Sequence, residues 1–262
     1  MSKRKICITL TAICAVLLVM YEFFAGDLIF SSVKDETVRN LIDMTVTRML
    51  GGIVFTVILV YLGYKVINPV KKHFWTAIAF SLPAFLVAVN NFPFSTVIKG
   101  EAVINSSWQR IALLAIECFA VAYFEEMAFR GVILLGFAEK RRSSRFGLFV
   151  SIILSSAVFG AVHLLNVFTS SPIAVIMQIG YSFLIGGMCS VVLLKTSNVW
   201  LCVLIHAIFN FSGALVPTCG EGILWDTFTV ALTAMIAVLV FVYMLIAFLL
   251  FDVKETDRIY EK

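Results

Sequence analysis

Nine consecutive residues, Tyr123-Phe124-Glu125-Glu126-Met127-Ala128-Phe129-Arg130-Gly131, set two carboxylates and a guanidinium inside an apolar run that covers 111–137. About 20 apolar residues suffice to cross a bilayer. An ionised side chain at the centre of a membrane helix costs roughly 2.5–3.5 kcal/mol on insertion scales. A chain that keeps such a cluster must pair the charges, turn them into a polar cavity, or use them chemically. Helical spacing divides the work. Glu126 and Arg130 stand at i and i+4, on one face, where they can pair. Glu125 points about 100° away around the helix and requires another partner.

His163 and His206, each in a further apolar stretch, are the available partners. Phe159 lies one helical turn before His163, so its ring can pack beneath the imidazole and restrict it, and Asn166 follows one turn later. His206 and Asn210 share one face of an otherwise apolar segment. One buried histidine is usually structural. Two of them, with Asn210 in register and the intramembrane Glu125, Glu126 and Arg130, point to a functional cavity. The competing reading is a structural polar network. Glu117 and Gln178 also fall in apolar segments. Glu117, two turns before Glu125, either lines the same cavity or packs against a helix hydroxyl. His73 follows Lys71-Lys72 and reads as a solvated loop residue.

The elements that must position these side chains are membrane helices. Of 262 residues, 61% are hydrophobic and 14% charged, against about 25% charged in soluble domains, and the mean hydropathy is +1.02. The short alternating segments of a β-barrel are missing. The pattern predicts an all-α polytopic membrane protein with about eight transmembrane helices enclosing an intramembrane polar cavity. The expected spans are 6–24, 49–67, 74–92, 111–137, 146–165, 173–194, 199–215 and one within 225–251, with Pro83 as a kink in the third. The first follows Met1-Ser2-Lys3-Arg4-Lys5 and resembles a signal peptide, but it is too long for an h-region and no A-x-A site follows, so it reads as a retained span.

With the N-terminus inside, the inner segments hold fourteen Lys and Arg and the outer segments five, leaving Arg130 alone as intramembrane. The positive-inside rule then sets both termini in the cytoplasm. The net charge of +4 reflects those basic inner loops and implies no nucleic-acid partner. The six cysteines form no CxxC pair and read as small apolar residues. Small residues at four-residue spacing, Ser151/Ser155 and Ser156/Gly160, fit close helix packing. The chain divides into N-terminal helices over 1–105, a core carrying the polar motifs over 106–215, and a final helix with a tail over 216–262.

Glu125-Glu126-x-x-x-Arg130-Gly131, Phe159-x-x-x-His163-x-x-Asn166 and His206-Ala207-x-x-Asn210, in this order and in successive apolar segments, resemble the three motifs of the CPBP (Abi/CAAX-protease) family of intramembrane proteases. The likeness covers about 108–215. It implies a peptidase in which Glu125 activates water, His163 helps to hold that water, His206 and Asn210 stabilise the tetrahedral oxyanion, and Glu126 with Arg130 orients Glu125. A zinc route is open as well, with Glu125, His163 and His206 as the ligands and water in the fourth position, although no H-E-x-x-H is present. The substrate expected is a membrane-associated peptide or membrane protein. A second reading is a non-catalytic immunity or regulatory protein of the Abi type. A third, an ion-coupled transporter, lacks the inverted repeats and paired broken helices it requires.

Overall fold

The computed structural model describes residues 13, 30–68, 74–168 and 170–260. The expected first span, apart from Ile13, lies outside the described residues, as do Cys7, Cys14 and His73. What is described is an all-helical bundle with one short ribbon. Helix α1 is Glu36–Leu62, α2 is Phe74–Asn90, α3 is Phe94–Ile98, and strand β1 is Ala102–Ile104. Helix α4, Trp108–Glu125, passes into a π-helix, Glu126–Leu134, and then α5, Leu135–Glu139. Helix α6, Arg145–Val162, ends in a 3-10 turn, His163–Phe168. Helices α7, Pro172–Thr196, and α8, Val199–Cys219, are followed by strand β2, Gly220–Gly222, and α9, Thr227–Leu249. A 3-10 turn, Val253–Thr256, and α10, Asp257–Tyr260, complete the order.

Helix starts follow capping chemistry. Asp35, Ser107, Ser144, Ser171, Asn198 and Asp226 each accept a backbone N–H of the helix they precede, which satisfies donors that the helix itself cannot. Among the described residues, five helices are long and apolar enough to cross a membrane. Leu50, Val57 and Val60 on α1 and Val238, Leu239 and Phe241 on α9 are exposed. In water such faces would be a liability; in lipid they are the expected exterior. The protein is thus a multi-pass membrane protein. Pro83 lies inside α2. The second span starts earlier than the hydropathy predicts: α1 begins at Glu36, so Arg48 belongs to a helix and not to a loop.

The centre of the bundle is α4, packed between α1 and α8. Two glycines on α1 make the close approach. A Cβ on Gly52 would stand 2.3 Å from the Tyr123 ring, and one on Gly51 would stand 2.7 Å from the Phe124 ring. The Tyr123 hydroxyl is 2.6 Å from Thr56 Oγ1, and its ring stacks on Trp200 at 5.7 Å between centroids. The two residues that precede the paired glutamates are therefore seated by α1 and α8. On the other side, α6 packs along α7, with Ser151, Ser155, Ser156 and Gly160 all buried. Ser155 Oγ donates to the Phe129 carbonyl at 2.9 Å, which ties α6 to the π-helix.

Each end of the bundle is closed differently. At one end β1 and β2 pair antiparallel, Ala102 opposite Gly222, and Lys99 Nζ sits 2.5 Å from Asp226 Oδ2. Hydrogen bonds from Lys99, Thr229 and Ser95 hold the Asp226 carboxyl well below the usual carboxylate range. At the other end the C-terminal stretch folds under the helices. Arg142 pairs with Asp257, Lys195 with Glu255 at 2.7 Å, and Arg145 Nε donates to the Phe251 carbonyl at 3.0 Å. Basic segments distant in sequence thus gather at one end.

Candidate active site

Helix α4 ends at Glu125 and widens at the next residue into the nine-residue π-helix Glu126–Leu134. The sequence predicts one continuous helix there, because hydropathy does not distinguish i→i+4 from i→i+5 winding. Glu126, Met127, Ala128, Phe129, Arg130 and Gly131 are all buried in succession. Gly131 permits this: a Cβ there would meet Leu59 at 2.5 Å.

Within this segment Glu126 is 0% and Arg130 1% exposed, with Arg130 Nη1 3.1 Å from Glu126 Oε1. The guanidinium also lies over the Phe159 ring, 4.2 Å from its centroid, a favourable cation–π placement. The same Oε1 of Glu126 stands 2.8 Å from His206 Nδ1. The other nitrogen of that imidazole, Nε2, is 3.5 Å from Glu125 Oε2. His206 therefore bridges two carboxylates that are adjacent in sequence. Facing a carboxylate, Nδ1 donates. Glu126 and Arg130 pair as their spacing predicts, but the contact they make with the site is to His206, where the resemblance implied a role in orienting Glu125. The two carboxylates also differ in access, since the Glu125 side chain is 16% exposed and that of Glu126 is sealed.

His163 stands at the junction of α6 and its 3-10 turn. Its Nδ1 is 2.9 Å from the Phe159 carbonyl, so that nitrogen donates and Nε2 is left for another partner. Phe159, 1% exposed, is the common wall of the site. Its ring meets His163 edge-on at 5.1 Å and His206 at 5.8 Å. Asn210 lies one turn beyond His206 on α8 and is half-buried. Asn166 donates to Gln178 Oε1 at 2.7 Å, which joins the 3-10 turn to α7.

Glu117 is half-buried, accepts the Cys118 thiol at 3.4 Å, and interacts electrostatically with Arg48 and Glu125. Two neighbours escape the sequence reading. Arg48 reaches over the Phe124 ring, 5.5 Å from its centroid; its position ahead of the apolar run assigned it to a loop. Tyr181 of α7 packs on Phe209 of α8 at 5.8 Å between ring centroids. A lone tyrosine in an apolar helix carries no signal of that kind.

The zinc set of Glu125, His163 and His206 is not closed in this conformation. Its ligand atoms do not all lie within 4.8 Å of one another; among the described residues the set that meets that spacing is Glu126, Cys189 and Cys202.

The helical bundle thus holds a carboxylate–imidazole–carboxylate line, Glu126–His206–Glu125. Residues 106–212 match the family model described as Type II CAAX prenyl endopeptidase Rce1-like, a stretch that contains Glu125, Glu126, Arg130, His163, His206 and Asn210. Residues 106–212 thus make up a domain similar to the Rce1-like type II CAAX prenyl endopeptidases. No curated protein and no solved structure matches the chain.

Proposed function

We propose that the protein hydrolyses a peptide bond of a membrane-associated peptide or membrane protein inside the bilayer, with water activated by Glu125. The observation that carries this reading is the line Glu126–His206–Glu125, at 2.8 and 3.5 Å. It leaves one carboxylate sealed against a fixed imidazole and the other open to a substrate. Glu125 takes a proton from water that His163 also holds through its free Nε2. The resulting hydroxide attacks the scissile carbonyl. The oxyanion accepts hydrogen bonds from the Asn210 amide and from Nε2–H of His206, which acts as the imidazolium, protonated on both ring nitrogens, with Nδ1–H held by Glu126. Glu125 then delivers its proton to the departing amine as the C–N bond breaks. Donors fixed in a water-poor site act on developing charge without reorganising.

Recognition lies between the helices. The described connections around the site are short, with only Ser197 and Asn198 between α7 and α8, and leave no soluble recognition domain there. A small or membrane-embedded peptide fits such a site better than a folded protein.

The test is Glu125→Gln, which keeps the shape of the side chain but cannot take a proton. Peptide profiles of cells carrying wild type or variant identify the substrate, and the purified proteins are then compared on it. The expected outcome is loss of turnover with a normal detergent melt. Near-normal turnover by the variant defeats the assignment of the base.

A further inference from the structure

Two thiols from neighbouring helices close on the carboxylate that holds His206. Cys189 of α7 and Cys202 of α8 are both 0% exposed, and both are free. Their sulfurs and a carboxylate oxygen of Glu126 lie within 4.8 Å of one another. Cys202 Sγ donates to the Cys189 carbonyl at 3.2 Å, which holds the two helices together at this level. A separate observation points the same way. Oε1 of Glu126 is hydrogen-bonded to His206 and lies 3.1 Å from Arg130 Nη1, whereas Oε2, like the three guanidinium nitrogens of Arg130, is buried without a hydrogen-bond partner. A buried carboxylate oxygen left without a donor is costly, and thiols are weak donors. We propose that Cys189, Cys202 and Glu126 form a binding site for a soft divalent cation, Zn²⁺ or Cd²⁺, and that filling it disarms His206.

The donor set suits such an ion. Two sulfurs and a carboxylate oxygen are ligands zinc takes, with water completing a tetrahedron, and thiolates select soft cations. Metal–sulfur bonds of about 2.3 Å in a tetrahedron put the sulfurs about 3.8 Å apart, within the observed spacing. The charges balance. Binding releases the proton of each thiol, so two thiolates and Glu126 face the divalent ion and Arg130. The group is neutral when loaded, as the Glu126–Arg130 pair is neutral alone. That balance matters in a low-dielectric interior. The site shares no ligand with Glu125, His163 or His206. Its effect comes through Glu126: an ion there competes with His206 Nδ1 for the carboxylate, and the imidazole loses its fixed orientation. This coupling rests on the peptidase reading; the binding itself does not.

The experiment is a Cd²⁺ titration of the purified protein in detergent, followed by the ultraviolet absorption of cadmium–thiolate bonds. Wild type is expected to bind one ion per chain with that absorption. Cys189→Ser or Cys202→Ser should each weaken binding by about tenfold or more, and the double variant should lose the band. A Cys118→Ala/Cys219→Ala control should keep it. Absence of the band in wild type, or its persistence in the double variant, overturns the site. Should the serine pair not fold, the alanine pair reads the same quantity. A second arm measures peptidase turnover. Cd²⁺ is expected to inhibit wild type and to spare the double cysteine variant, which is active without metal. A specific band with turnover unaffected overturns the coupling to His206 while leaving the peptidase reading intact.

Discussion

The two histidines meet the Phe159 ring from walls built on different principles. His206 sits in the body of α8, 5% exposed, and takes its orientation from a carboxylate on another element, itself held by Arg130. His163 sits where α6 gives way to a 3-10 turn, half-buried, and takes its orientation from the carbonyl one turn back in its own helix. The neighbours Leu164, Val167 and Phe168 are exposed. The first wall is a long-range network of charges sealed from solvent. The second is local. The His206 side is therefore expected to tie function to folding, and the His163 side to keep them separable.

The largest expected effects test that division directly. Glu126→Ala or Arg130→Ala leaves one buried charge without its partner, a loss of about 3–5 kcal/mol, and also releases His206. Both variants should melt at lower temperature in detergent and lose activity. His163→Ala should lose activity comparably while its melt stays close to wild type. Equal melts for all three variants would erase the distinction between the walls.

Asn210→Ala acts on the His206 wall at its half-buried edge. If its amide binds the oxyanion, it contributes in the transition state and not in the ground state. Steady-state kinetics should then give kcat reduced by about 10²–10³ with KM little changed. A raised KM with normal kcat would assign Asn210 to substrate binding instead.

The division between walls also marks what the sequence discloses. Polar side chains in apolar runs stand out, so Glu125, Glu126, Arg130, His163, His206 and Asn210 are legible as candidates in the sequence alone. Helical spacing paired Glu126 with Arg130 and set Phe159 beneath His163, because both contacts span one turn. Contacts between distant segments have no such signature. Nothing in the spacing joins Glu126 to His206, eighty positions on, or brings Cys189 and Cys202 to the same carboxylate. The π-helix was hidden because its composition is that of an ordinary apolar helix. Arg48 was hidden because hydropathy marks where a run becomes apolar and not where a helix begins.

The smallest expected effect lies on the His163 wall and asks how local it is. Asn166 donates to Gln178 at 2.7 Å, so α7 steadies the 3-10 turn that begins at His163. Gln178→Met keeps the length of the side chain and removes the acceptor, a loss of about 1 kcal/mol for one hydrogen bond. Because the turn is short and its apolar side chains face outward, that loss should appear as easier local opening and not as global unfolding. Hydrogen exchange of the protein in detergent should show faster exchange over 163–168, with the amides around His206 unchanged and the melt nearly so. Turnover should fall only about fivefold, the kinetic equivalent of 1 kcal/mol. Faster exchange around His206 to the same degree would mean that the turn and α8 open together, and that the two histidines are held by one network.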